Sequence, residues 1–128
     1  MRIAEVSEKF GLSSDTLRYY EKMGLIEPVK KDASGRRDYS EADLRRVNFL
    51  KCMRMSGISI ERLKQYVDLF HEGEHTIPER KEILISQQKE LEATIEELNK
   101  TLDYLKNKIA NYEETIVKRE LERYHTKD

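Results

Sequence analysis

The side chains of this sequence that can do chemistry fall into short clusters. Ser13, Thr16, Arg18, Tyr19 and Tyr20 lie close together, Arg36, Arg37 and Tyr39 form a second group, and the single thiol, Cys52, stands among Lys51, Met53 and Arg54. A guanidinium can donate two parallel hydrogen bonds to a guanine edge, and hydroxyls and cations hold phosphates. A cysteine is a nucleophile only as the thiolate. Lys51 and Arg54 favour that form, whereas the negative end of a helix, expected just beyond, opposes it. On chemistry alone Cys52 reads equally well as a small packing residue. His71 and His75 sit beside Glu72 and Glu74, but Gly73 lies between them in a polar loop composition. Soft-metal sites need several thiolate or imidazole ligands, so one cysteine per chain predicts no metal site and no cofactor. No Ser/His/Asp order, Gly-rich phosphate loop or pocket carboxylate pair can be read, and the chain is expected not to be an enzyme.

The elements that must position these groups follow from punctuation and periodicity. Ile3, Ala4, Val6 and Phe10 have helical spacing up to Gly11, with Leu12 as a buried turn residue. Ser13 then caps a second helix over 14–22 that closes at Met23-Gly24. Two short helices joined by a Gly-containing turn make a helix-turn-helix. Residues 25–29 and 37–39 flank the polar run 30–36, whose Ser34-Gly35 is a turn signal, so a small β-hairpin, or wing, is expected. Ser40 with Asp43 marks the start of a third helix over about 41–55, closed by Ser56-Gly57, and Ser59 caps a fourth over about 60–70. On a helical wheel Leu44, Val47 and Leu50 form the buried stripe of the third helix, and Cys52 lies off it.

The chain has 128 residues, 38% of them charged, which suits a thin core with much solvated helix surface. Residues 1–70 carry 14 Lys and Arg against 11 Asp and Glu, and residues 71–128 carry 10 against 14, so the basic excess belongs to the first half despite the overall net charge of −1. A local basic face, rather than the global charge, is what nucleic acid responds to. One cysteine excludes an intrachain disulfide. With no signal-peptide pattern at Met1-Arg2-Ile3 and no long apolar run, a cytoplasmic protein with no membrane partner is expected.

Residues 71–79 read as a linker, and a single helix is expected from residue 80 to about Val117, with a short tail to residue 128. Along it Leu84, Leu91, Ile95, Leu98, Leu102, Leu105, Ile109, Tyr112 and Ile116 recur at alternating steps of three and four, with Gln88 the polar member of the series. So narrow a stripe needs a partner helix along its length, and the chain offers no second long helix. The expected partner is another copy, making a homodimer.

Several motifs arrive in a fixed order: Ile3-Ala4-Glu5-Val6-Ser7, Gly11-Leu12-Ser13, Thr16-Leu17-Arg18-Tyr19-Tyr20-Glu21, Gly24-Leu25-Ile26 and Arg37-Asp38-Tyr39. Together they resemble the MerR family of transcription regulators, and the resemblance covers the whole chain. It implies a mainly α fold: a winged helix-turn-helix DNA-binding domain over residues 1–70 and a long C-terminal helix that forms an antiparallel coiled-coil dimer. It also implies a dimer on double-stranded promoter DNA that twists and bends an overlong spacer so that RNA polymerase engages both promoter elements. Such bending costs on the order of 1–6 kcal/mol.

Under this resemblance Arg18 is the base reader. Ser13, Thr16, Tyr19 and Tyr20 support it, although one ring of the tyrosine pair must face inward. Arg36, Arg37 and Tyr39 become wing contacts, with a solvated basic turn as the alternative. The helix start at Ser59 offers backbone N–H groups to a phosphate, with Lys64 beside it. Cys52-Met53-Arg54 resembles the third-helix cysteine of a cysteine-poor branch that responds to aldehydes and other electrophiles, so Cys52 is expected to sense a covalent effector. The rival readings are a family member without thiol chemistry and a coiled-coil adaptor protein.

Overall fold

The computed structural model describes residues 1–113 and 117–124. The chain divides into two compact units, Met1–Lys89 and Glu90–Asp128. The first holds α1 (Ile3–Phe10), α2 (Ser14–Lys22), α3 (Glu41–Met55), α4 (Ile60–Glu72) and a 3-10 turn, Glu74–Thr76. It also contains the first turns of α5 (Ile77–Ala110), which runs on into the second unit.

The predicted start signals operate as caps. Ser13 Oγ accepts from Thr16 N at 3.0 Å, and Ser59 Oγ from Arg62 N at 3.1 Å. Ser40 and Asp43 bond reciprocally, Asp43 N to Ser40 Oγ at 3.1 Å and Ser40 N to Asp43 Oδ2 at 2.9 Å. Each cap of this kind contributes about 1 kcal/mol. Gly11, with φ 67°, ends α1 in the left-handed region that a side chain would oppose. Leu12 is half-buried rather than buried.

The core of the first unit joins one face of each helix: Val6 and Phe10 of α1, Leu17 and Tyr20 of α2, Val47 and Leu50 of α3, and Leu63 of α4. Burying each large apolar side chain stabilises the fold by roughly 1.5–3 kcal/mol. The buried face of α2 therefore fixes which side chains it leaves for solvent.

The expected hairpin is not formed as two strands. Among the described residues the connection between α2 and α3 has a single antiparallel bridge, Lys31 with Arg37. The turn is built on Asp32, whose Oδ1 accepts from Ser34 N at 2.9 Å, Ser34 Oγ at 2.7 Å and Arg36 N at 3.1 Å. The wing is a minimal hairpin at the expected position: its limbs are joined by backbone bonds from Asp32 N to Arg36 O and from Asp38 N to Lys30 O, each 2.8 Å, around an Asp32-centred turn.

Residues 71–79, expected as a linker, are largely helical. His71 and Glu72 finish α4, Gly73 alone breaks the path with φ 125°, and α5 already begins at Ile77. Pro78 falls in the first turn of α5, where its missing N–H has no intrahelical partner to lose. Buried Thr76 locks the corner, with Oγ1 2.7 Å from the carbonyls of Leu69 and Gly73 and accepting from Arg80 Nε at 3.0 Å. Within the first unit α5 buries Ile83 and Gln87, a direction distinct from the predicted seam.

In the second unit α5 stops at Ala110, Asn111 is a turn, Tyr112 and Glu113 are π-helical, and a further helix, α6 (Val117–Tyr124), is present, so among the described residues the expected single α-helix is interrupted after Ala110. Asn111 lies at the break, its Nδ2 donating to Asn107 O at 3.1 Å and to Asn107 Oδ1 at 2.8 Å. Asn107 O also accepts the helical backbone bond from Asn111 N at 3.1 Å, so the side chain adds to that bond and does not replace it. Lys108 and Glu120 pair at 3.4 Å across the break. Ile116 of the predicted seam lies outside the described residues.

Candidate nucleic-acid interface

The outer face of α2 presents Arg18 and Tyr19, with Thr16 half-buried. Ser13 and Thr16 hydroxyls are 2.8 Å apart at the helix start. Arg18 is 50% exposed and pairs with Asp15, itself 97% exposed, at 3.1 Å. A surface pair of this kind is weak and easily exchanged for a phosphate or base edge. Tyr19 is 44% exposed, whereas Tyr20 is 4% exposed and belongs to the core. The expectation of a Tyr20 phosphate contact is therefore corrected: Tyr20 follows Leu17 by three residues on the buried face.

The wing arginines have different roles. Arg36 is exposed, while Arg37 Nε donates to Glu21 Oε1 of α2 at 2.9 Å, with both side chains largely shielded. Arg37 thus clamps the wing to α2 and positions Arg36. Tyr39, expected at the DNA surface, is 3% exposed, and its hydroxyl is buried without a hydrogen-bond partner among the described residues. Burial, reinforced by the nearby charge of Glu21, pushes its phenol pKa up. A hydroxyl so placed packs the base of the wing instead of contacting DNA.

Asp32 organises the tip, and its carboxyl is held well below the ordinary carboxylate range by the Ser34 hydroxyl first, and then by the Arg36 N–H. Arg2 also pairs with Asp32. Lys30 and Lys31, exposed beside the wing, were not singled out from the sequence, although the cation-rich run 30–37 was the signal for them.

At the second helix pair, Ser59 caps α4 and is exposed. Lys64 pairs with Asp68, and its Nζ would lie 3.5 Å from a Cβ placed on Gly24, so it sits against the end of α2 instead of projecting freely. Phe49 and Tyr66 stack at 5.6 Å in a groove of about 390 Å³ between α3 and α4, with Arg45 and Arg46 at its rim. Cys52 is exposed on α3. Arg54 engages the Ile58 carbonyl and not the thiol. His71 lies edge-on to Phe70, and among the described residues no three His, Cys, Asp or Glu side chains gather as a metal site.

The capped helices α2 and α4, with a basic wing clamped to α2, make up a winged helix-turn-helix of the kind found in DNA-binding transcription regulators. The chain belongs to the MerR family: the MerR HTH family regulatory protein pattern matches residues 1–69, and the MerR, DNA binding pattern residues 44–108. It is 52% identical over 91 residues to the HTH-type transcriptional regulator AdhR of Bacillus subtilis (strain 168), a match covering 71% of this chain and 65% of that relative's length. It is 33% identical over 108 residues to heavy metal-dependent transcription regulator 2 of Rhizobium meliloti (strain 1021), covering 82% and 74% of the two chains. Its fold also matches HiNmlR, a MerR family regulator lacking the sensor domain, crystallised bound to promoter DNA. That match has a TM-score of 0.78 and 34% identity over 91% of this chain and 92% of the other. Among the described residues no helix is long and apolar enough to cross a membrane.

Proposed function

We propose that this regulator works in the cytoplasm as an antiparallel coiled-coil homodimer on promoter DNA, distorts the promoter for RNA polymerase, and is switched on by reactive aldehydes or related electrophiles at Cys52. Its role is regulatory and not catalytic. Residues 1–70 serve as the reading head, and the helix beyond residue 80 as the dimerisation element. Support for the dimer comes from the seam of α5, where Leu98 is 63% exposed and Ile109 73% exposed in the single chain. An apolar stripe of this length favours a partner helix.

The observation that carries the electrophile reading is the solvent-exposed thiol of Cys52 on the helix that links the wing to α4. Its thiolate adds to an aldehyde carbon: the S–C bond forms as the carbonyl π bond breaks, and the oxygen takes a proton from water. The product is a hemithioacetal, with no change of oxidation state. An adduct on α3 then biases two arrangements of the reading heads without touching DNA. The single cysteine argues against the soft-metal chemistry suggested by the name of the Rhizobium meliloti relative.

A family member without thiol chemistry is the second reading, favoured by the engagement of Arg54 with Ile58 O and not with the thiol. Cys52→Ala decides between them in a promoter-reporter strain treated with formaldehyde or methylglyoxal. The variant is expected to dimerise and bind its operator yet lose induction. Full induction of the variant overturns the thiol reading.

A further inference from the structure

Of the described residues of α5 only Ile83 and Gln87 are buried, and Gln87 is the polar one, 4% exposed. Its Nε2 donates to the carbonyl of Ser56 at 2.8 Å. Ser56 caps α3, its N–H directed at Met53 O (3.0 Å) and Cys52 O (3.3 Å). Two residues on, the fully buried Ile58 has its carbonyl held by Arg54, and Ser59 opens α4. Arg62 of α4 reaches Ser86 of α5 at 3.4 Å. One short turn thus joins the Cys52 helix, the second DNA-facing helix start and α5.

We infer that Gln87 is the positioning residue through which the last turn of α3 sets the orientation of α5 on the reading head. This inference rests on the reading of Cys52 as the sensor. Apolar packing at Ile83 is non-directional and tolerates small shifts. A buried amide bonded to one carbonyl is directional and costly to leave unpaired, so it has two discrete states, made or broken. The Ser56 N–H lies against the carbonyl of Cys52 itself, so an adduct that displaces the end of α3 moves Ser56, and the Gln87 bond must follow or break. Gln87 is buried and bonded to Ser56 O, so its part is to carry the change into α5, the proposed dimerisation helix. Two-state coupling requires such an element.

Gln87→Met keeps the length and shape of the side chain and removes the donor, whereas Gln87→His returns an N–H near the same place. Wild type and both variants are compared in purified transcription from the operator promoter with formaldehyde, with intact mass measured on the same samples. Gln87→Met is expected to stay dimeric, bind the operator normally and take the Cys52 adduct, while its induction ratio falls about tenfold, the order of one allosteric coupling. Gln87→His is expected to restore induction. A modified Gln87→Met protein induced as strongly as wild type overturns the inference, as does loss of folding or operator binding in the Met variant, which would make Gln87 a structural clamp. Wild type that responds without any Cys52 adduct overturns the thiol reading itself and the relay with it, and the mass measurement tells that failure from the others.

Discussion

Arg18→Ala separates the reading of bases from the holding of phosphates. Arg18 is half exposed and its ion-pair partner, Asp15, is almost fully solvated. Such a pair is worth about 0–1 kcal/mol, so the guanidinium can leave it for a base edge at little cost. By the same reasoning, its removal should leave folding stability within about 0.5 kcal/mol of wild type. A bidentate contact to guanine contributes roughly 1–3 kcal/mol of discrimination, so operator affinity should fall roughly 5- to 150-fold. Binding to an unrelated duplex should weaken much less. Asp15, left unpaired beside DNA, repels both duplexes alike, which makes the difference between them the informative quantity. Fluorescence anisotropy with an operator selected from a random duplex pool and with a scrambled duplex measures it, and thermal melting is followed in parallel. Equal weakening on the two duplexes refutes base reading by Arg18, and a Tm lowered by several degrees makes the residue structural.

Arg36→Ala should weaken binding to both duplexes alike and reduce the slope of log affinity against log salt by about 0.9 for each phosphate it no longer neutralises, as read from titrations at several salt concentrations. Leu98→Glu places a charge in the α5 seam and should turn the dimer seen by sedimentation equilibrium into monomer at micromolar concentration; a wild type that is already monomeric there removes the coiled coil from the account. The Asp32 carboxyl has its folded-state pKa depressed, so its ordering of the wing is complete above the ordinary carboxylate range, near pH 4, and is lost as the pH falls further below it. Amide chemical shifts of Ser34 and Arg36 should therefore stay constant from neutral pH down to that range and change only in stronger acid, and Asp32→Asn should abolish the acid-side change.

The helices were legible wherever a local signal decides the chain's path. Ser13, Ser59 and the Ser40–Asp43 pair announce their caps by side-chain type and spacing alone, and each makes the expected bond. The wing was legible in position, charge and antiparallel pairing, but not in how short the pairing is, because Ser-Gly announces a turn and says nothing of the Asp32 side chain that fills it. Adjacent Tyr19 and Tyr20 required one ring inside, and only the core at Leu17 decides that it is Tyr20. Tyr39 looked available because tyrosine suits either environment; its burial depends on residues distant in sequence. Ile83 and Gln87 were hidden because the heptad count follows one direction around a helix, while α5 faces the head in another. The interruption after Ala110 carries no Gly or Pro, and Asn111 keeps its backbone bond to Asn107 O, so no local signal announces it.

The central claim, that Cys52 couples a reactive aldehyde to promoter activation, is tested most directly by purified transcription with wild type and Cys52→Ala. The two proteins are loaded to equal operator occupancy, exposed to formaldehyde, and analysed by intact mass from the same tubes. The wild type is expected to carry a Cys52 adduct and give increased transcript, and Cys52→Ala to stay bound but unresponsive. Equal activation of the two proteins, or activation of the wild type with its thiol unmodified, contradicts it.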